Sequence, residues 1–71
     1  MDILCVFAKN VRMYRLDRGF SQEKLAELAN LHRTYISAIE RCQRNIALEN
    51  VQKIADALRI EAYKLILENI E

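Results

Sequence analysis

Proline is absent from the 71-residue chain, and glycine occurs only once, at Gly19. Tight turns and strand connections depend on these two residue types, so their scarcity argues against a β-sheet protein. The abundance of Leu, Ala, Glu, Lys and Arg favours helices instead. One glycine is also too few for a phosphate-binding loop, which needs several glycines at set spacing. The sequence therefore predicts an all-α fold, with residues 1–71 forming one small domain.

Metal-binding patterns are missing as well. The chain has one His and two Cys, and the cysteines do not have CxxC spacing. A tetrahedral zinc site needs four such ligands, so no metal and no cofactor is predicted. Cys5 and Cys42 are interpreted as isolated, reduced thiols of an intracellular protein. With no resolving cysteine evident nearby, Cys42 is predicted to be a passive thiol and not a redox switch.

Long apolar runs are absent too. The longest unbroken one, residues 3–8, is far too short to span a bilayer. It also lacks the basic flank and the cleavage site of a signal peptide. These features predict a cytoplasmic protein that has no membrane partner. An enzyme is the weakest interpretation, because no cluster of nucleophile, base and acid is visible.

The charged residues are unevenly distributed along the chain. Residues 9–44 contain eight Lys or Arg against four Asp or Glu, whereas residues 45–71 contain three against five. The net charge of +1 therefore combines a basic front, residues 9–44, with an acidic back, residues 45–71. This asymmetry indicates one face for an anionic partner and another face for a different contact.

Apolar spacing and end signals predict five helices. They cover residues 3–18, a segment after Ser21, a segment after His32, residues 48–58 and residues 62–70. Gly19 is expected to end the first helix in a left-handed cap, and Ser21 is a favourable N-cap for the second.

Residues 22–40 fit a helix-turn-helix. Ala26 supplies the small residue that two steeply crossing helices need, and Asn30 tolerates the left-handed geometry of a tight turn. The inner faces require apolar residues, which are present at Leu25, Ala29, Leu31, Ile36 and Ile39. A bare helical hairpin would not require all these positions together.

The third helix has two different sides. At about 100° per residue, Ile36 and Ile39 point to one side. The other side carries Arg33, Thr34, Ser37, Ala38 and Arg41. In a helix-turn-helix such an outer face enters the major groove of DNA, and its N-terminal residues reach base edges. The alternative is an ordinary solvated face.

The residues from Met13 onward resemble the lambda-repressor-like, XRE-type helix-turn-helix regulators, and the resemblance covers nearly the whole chain. Within that family, the run "SQEKLAELANLHRTYISAIERCQRNI" is most similar to the controller proteins of restriction–modification systems. The resemblance implies a homodimer of five-helix subunits that binds pseudo-palindromic operators in double-stranded DNA. It also implies control of its own promoter and of the restriction gene. A dimer bound upstream of a promoter is expected to recruit RNA polymerase, and a second dimer bound over the promoter is expected to block it.

The resemblance assigns roles to individual residues. Base readout falls to Arg33 and Thr34, assisted by Tyr35 and Ser37, and backbone contacts fall to Gln22, Arg44 and Asn45. It also implies a structural ion pair between Arg15 and Glu40. Two departures stand out. Cys42 replaces the usual Gly at a helix end, and Ala47 replaces the usual Ser or Thr cap of the fourth helix.

The predicted last helix has more apolar surface than an edge helix of so small a domain should bury. Ala62, Tyr63, Ile66, Leu67 and Ile70 form a broad apolar side, and Leu65 is expected to stand outside it. Such an excess marks an interface. The predicted dimer interface therefore consists of Tyr63, Leu65, Ile66, Leu67 and Ile70, and the alternative is that this side covers the subunit's own core.

Two rival functions remain open from the sequence. One is a phage-type or antitoxin-type repressor of the same fold. The other is a protein-interaction module that has kept the fold without binding DNA. The cations Arg33 and Arg44 and the hydroxyl of Thr34 argue against the second.

Overall fold

The computed structural model describes residues 2–43 and 45–68 and contains four α-helices. They are α1 (Ile3–Asp17), α2 (Gln22–Ala29), α3 (Arg33–Glu40) and α4 (Leu48–Leu58), followed by a short 3₁₀ helix, Ala62–Leu65. No strand occurs among the residues described, and the all-α prediction is confirmed. The prediction of a fifth α-helix over residues 62–70 is wrong, because a single 3₁₀ turn takes its place; residues 69–70 lie outside the described residues.

Each α-helix ends in the same turn. The residue after the C-cap of α1, Gly19, has φ of 74°, as predicted. Its counterparts after α2, α3 and α4 are Asn30, Cys42 and Arg59, with φ between 59° and 60°. In each case the next N–H bonds back to the carbonyl five residues earlier, which is the Schellman arrangement. Three of the four helix ends therefore place a side chain in the left-handed region that glycine prefers.

The helix starts are less uniform. Ser21 Oγ accepts a hydrogen bond from Lys24 N at 2.9 Å, which confirms the predicted N-cap of α2. Asp2 caps α1 through Leu4 N at 3.1 Å. Ala47 precedes α4 and provides no side-chain cap, as its replacement of Ser or Thr predicts.

The core lies where α2 and α3 cross and pack onto α4 and α1. Its largest fully buried side chains are Val11, Leu25, Ile36, Ile54, Leu58 and Leu65. Ala26 is buried at the crossing, so the small side chain expected there is present. The core thus holds the two helices of the helix-turn-helix rigidly against the rest of the chain.

A buried ion pair joins α1 to α3. Arg15 Nε donates to Glu40 Oε2 at 2.7 Å, and Arg15 Nη2 donates to Glu40 Oε1 at 3.1 Å. Arg15 Nη1 also donates to the carbonyl of Phe20 at 2.8 Å. The predicted Arg15–Glu40 pair is confirmed, and its two-point geometry fixes the end of α3 relative to α1.

Leu65 is fully buried, so the expectation that it stands outside the apolar side is wrong. The 3₁₀ turn directs this side chain inward against α1 and α4. Tyr63, Ile66 and Leu67 remain exposed, by 56%, 45% and 60% respectively. The exposed apolar surface near the end of the described chain is therefore real, but it does not include Leu65.

Cys5 and Cys42 form a disulfide. The prediction of two isolated thiols is wrong, because packing of α1 beside the end of α3 brings their Cα atoms to 5.0 Å across 37 residues of sequence. That separation lies in the range that a disulfide spans. No helix in the described parts of the chain is both long and apolar enough to cross a bilayer.

Candidate nucleic-acid interface

Helix α3 has the two faces that its sequence predicts. Ile36 and Ile39 are buried, whereas Arg33 and Thr34 are exposed in its first turn. Neither Arg33 nor Thr34 makes a side-chain hydrogen bond or ion pair with the described residues. A guanidinium and a hydroxyl are thus presented together at the N-terminal end of the helix, where both remain available for a ligand.

Tyr35 and Ser37 lie at the edges of this exposed face and are half-buried. Asn50 of α4 donates from Nδ2 to the Tyr35 hydroxyl at 3.0 Å. Arg41 donates from Nη1 to Ser37 Oγ. The structure therefore positions both hydroxyls from outside α3. The role of Asn50 had no signal in the sequence, because it depends on where the packing of α4 against α2 places this side chain.

Gln22 is the first residue of α2, and its side chain reaches the buried ion pair. Its Nε2 donates to Glu40 Oε1 at 3.1 Å, so Glu40 binds both Arg15 and Gln22. The first backbone N–H groups of any helix have no intrahelical partner. The start of α2 thus offers N–H groups to an anion, while the Gln22 amide connects α2 to α3.

The predicted backbone contacts beyond α3 lie in the segment that leads to α4. Asn45 is exposed there. Arg44 lies outside the described residues, so its predicted contact stays a prediction. The turn that begins this segment is held by Cys42 N donating to Ile39 O at 2.9 Å and Gln43 N donating to Ala38 O at 3.0 Å.

The cations of the basic front divide into two sets. Arg15 is used in the buried ion pair, and Arg18 donates to the carbonyl of Leu58 at 2.9 Å at the end of α4. Arg33 and Arg41 are exposed at the two ends of α3. Part of the predicted positive charge is therefore structural, whereas the charges of Arg33 and Arg41 are exposed beside α3.

One group of side chains in the described chain has the spacing of a metal site. The ligand atoms of Asp2, Cys5 and Cys42 lie within 4.8 Å of one another. The two sulfurs are bonded to each other, however, and thiolates are the form in which cysteine binds metals. The disulfide therefore accounts for this cluster.

Comparison with known proteins identifies the same architecture. The family described as "Helix-turn-helix" matches residues 11–65. A hypothetical transcription factor of Neisseria meningitidis serogroup B is 50% identical over 66 residues, which cover 93% of this chain and 62% of that protein. The control protein C.SmaI of Serratia marcescens is 47% identical over 66 residues, covering 93% of this chain and 79% of that one.

Solved structures agree with these sequence relationships. The crystal structure of the Neisseria transcription factor superposes with a TM-score of 0.92 at 49% identity, covering 94% of this chain and 77% of the other. The controller protein C.Esp1396I, bound to a 25 base pair operator site, gives a TM-score of 0.83 at 34% identity, with 92% and 86% of the two chains covered. The resemblance to helix-turn-helix regulators and restriction–modification controllers is confirmed.

Proposed function

The chain belongs to the helix-turn-helix family, and on this premise we propose that it is a sequence-specific DNA-binding transcriptional regulator, the controller protein of a restriction–modification system. It binds pseudo-palindromic operators as a homodimer. It recruits RNA polymerase from a site upstream of a promoter and blocks polymerase from a site over it. The likeness to control proteins, one of which is solved on its operator, supports this assignment.

The observation that carries the proposal is the pair of unpartnered side chains at the start of α3. Arg33 and Thr34 are exposed there, opposite the buried Ile36 and Ile39. The guanidinium of Arg33 matches the O6 and N7 acceptors of guanine, and the methyl group of Thr34 matches that of thymine. A merely solvated face would not require this pairing of chemistry and position in the first turn of α3.

The remaining site residues position the protein on the duplex. The hydroxyls of Tyr35 and Ser37 assist readout, and their contacts to Asn50 and Arg41 limit their rotation. Backbone N–H groups at Gln22, together with the side chains of Arg44 and Asn45, contact phosphates. Phosphate contacts set the register in which Arg33 meets the bases.

The dimer forms through the apolar surface near the end of the described chain. Tyr63, Ile66 and Leu67 are exposed in one short segment, whereas the predicted contribution of Ile70 lies outside the described residues. Leu65 is excluded because its side chain lies in the core. A pseudo-palindromic operator requires the two copies of α3 to lie about one DNA turn, roughly 34 Å, apart, and in our proposal a two-fold axis through this surface provides that spacing.

The proposal is tested by selecting binding sites from a random double-stranded DNA library. We expect enrichment of a pseudo-palindrome whose half-sites lie about 10 base pairs apart, centre to centre. The double variant Arg33→Ala/Thr34→Ala, which leaves the core intact, should enrich no site. Failure of the wild-type chain to enrich any sequence would contradict the function. A methyltransferase gene and an endonuclease gene beside this one would support the controller assignment over that of another repressor.

A further inference from the structure

The Cys5–Cys42 disulfide ties the start of α1 to the end of the DNA-facing helix. We propose that this bridge is a redox site, opened by a dithiol reductant, and that its state sets operator affinity through the turn after α3. The inference rests on the proposed function, because it concerns regulation of the same DNA interface. It replaces the prediction that Cys42 is passive, whose basis was the apparent lack of a partner thiol.

The position of Cys42 connects the bridge to the interface. Cys42 follows the C-cap of α3 and adopts φ of 60°. L-residues rarely take this conformation, whereas glycine takes it freely. The chain then runs through residues 43–45 to the proposed phosphate contacts. The backbone angle at Cys42 therefore sets the direction in which this segment leaves α3.

The disulfide is a second restraint on the φ angle of Cys42, in addition to the hydrogen bonds of the turn. With the bridge closed, Cys42 is held by its own hydrogen bond to Ile39 O, by that of the next residue, Gln43, and by Cys5 on α1. With the bridge open, only the hydrogen bonds oppose the conformational preference of a non-glycine residue. Gln43, beside this turn, and Asn45, a proposed phosphate contact, then lose part of this restraint, and ordering them on DNA lowers the affinity.

The bridge is accessible to a reductant. Cys5 is exposed and Cys42 is half-buried, and both line a groove of about 430 Å³ between α1 and the end of α3. Lys9, Arg12 and Arg41 line the same groove. Their positive charges attract the anionic thiolate that carries out thiol–disulfide exchange, and they act against the repulsion of the Asp2 carboxylate, which lies 3.4 Å from Cys5 Sγ.

Electrons and protons pass only between the dithiol reductant and the Cys5–Cys42 disulfide. One thiolate of the reductant attacks a bridge sulfur, the Cys5–Cys42 bond breaks, and a mixed disulfide forms. The second thiolate of the reductant then attacks its own bound sulfur and releases the other cysteine. Cys5 and Cys42 gain two electrons and two protons and become thiols, while the reductant becomes a cyclic disulfide.

The experiment compares the oxidised and dithiothreitol-reduced chain with three variants. Alkylation followed by mass measurement reports the bridge directly, without DNA. Operator titration should show about threefold to tenfold weaker binding after reduction. Cys5→Ser should bind like the reduced wild type under both conditions. Cys42→Ala should do the same, because it keeps the strained turn without a bridge. Cys42→Gly should be insensitive to reduction and should bind better than Cys42→Ala, because glycine adopts the left-handed turn without strain.

The possible outcomes distinguish a failure of the redox proposal from a failure of the proposed DNA-binding function. Free thiols after mild oxidation, or equal operator affinity of the oxidised and reduced chains, would overturn the redox site while leaving DNA binding intact. Loss of redox sensitivity in Cys5→Ser, with a measured difference in wild type, supports it. If neither state binds any DNA sequence preferentially, the proposed function fails and the inference fails with it.

Discussion

The side-chain amide of Asn10 on α1 donates to the main-chain carbonyl of Leu65 at 2.9 Å. The same nitrogen lies 2.9 Å from the carbonyl of Leu67, and Asn10 is 2% exposed. A buried polar side chain thus holds the segment that carries the exposed Tyr63, Ile66 and Leu67. This contact links α1 to the proposed dimer surface.

Replacing Asn10 with Ala should destabilise the subunit. The carbonyls of Leu65 and Leu67 lose their donor inside the protein, which costs about 1–3 kcal/mol of unfolding free energy. Dimerisation should weaken as well, because its surface is no longer fixed to α1. Urea unfolding and sedimentation measure the two effects. Gln52→Ala, which removes an exposed Gln52–Asp56 hydrogen bond, should change neither. Unchanged stability in Asn10→Ala would show that the segment is held by apolar packing alone.

The dimer surface is tested by adding charge to it. Ile66→Asp and Leu67→Asp should each give monomers in analytical ultracentrifugation, because a buried unpaired carboxylate opposes association. Leu28→Asp is the matched control, since Leu28 is an exposed leucine on α2, and it should remain dimeric. A wild-type chain that sediments as a monomer at high concentration would contradict the proposed interface.

Replacing Arg33 and replacing Arg44 should weaken DNA binding in two different ways. Arg33→Ala should cost about 1–3 kcal/mol of binding free energy and relax base preference at one position of each half-site. Arg44→Ala should weaken specific and non-specific binding alike and reduce the salt slope by about one per subunit. Titration of operator and scrambled duplex over a range of salt measures both. Lys53→Ala, an exposed cation on α4, is the control. Equal loss on both duplexes for Arg33→Ala would make Arg33 a phosphate contact.

Replacing the residue with left-handed backbone geometry after α4 by glycine should stabilise the protein. Arg59 has φ of 60° and is exposed, so Arg59→Gly removes backbone strain of about 1–2 kcal/mol. The greater freedom of glycine in the unfolded chain offsets part of this gain, and a net stabilisation of up to about 1 kcal/mol is expected. Lys53→Gly, inside α4, should have the opposite sign and cost about 1 kcal/mol. Thermal unfolding of both variants decides the matter, and destabilisation by Arg59→Gly would contradict the assignment of strain.

Local signals were sufficient for much of the candidate site. The left-handed turn at Asn30, the cap at Ser21 and the buried side of α3 all depend on residues within a few positions of one another. Helical periodicity and capping act over this range. The exposed position of Arg33 and Thr34 could therefore be predicted.

The chain beyond α4 could not be predicted in this way. Its apolar spacing fits an α-helix, yet Asn10 binds the carbonyls of Leu65 and Leu67. In an α-helix, the carbonyls of this segment would instead accept hydrogen bonds from N–H groups four residues later in the same helix. The competing donor lies more than 50 residues earlier in the sequence, and no local pattern reveals it.

The sequence by itself determined the helix-turn-helix and the exposed face of α3, because propensity, capping and periodicity are short-range effects. Only the tertiary structure decided the Cys5–Cys42 bridge, the inward position of Leu65 and the attachment of Tyr35 to Asn50. Each of these joins residues on different elements. Such pairs depend on how helices pack in space, and spacing along the chain does not specify that packing.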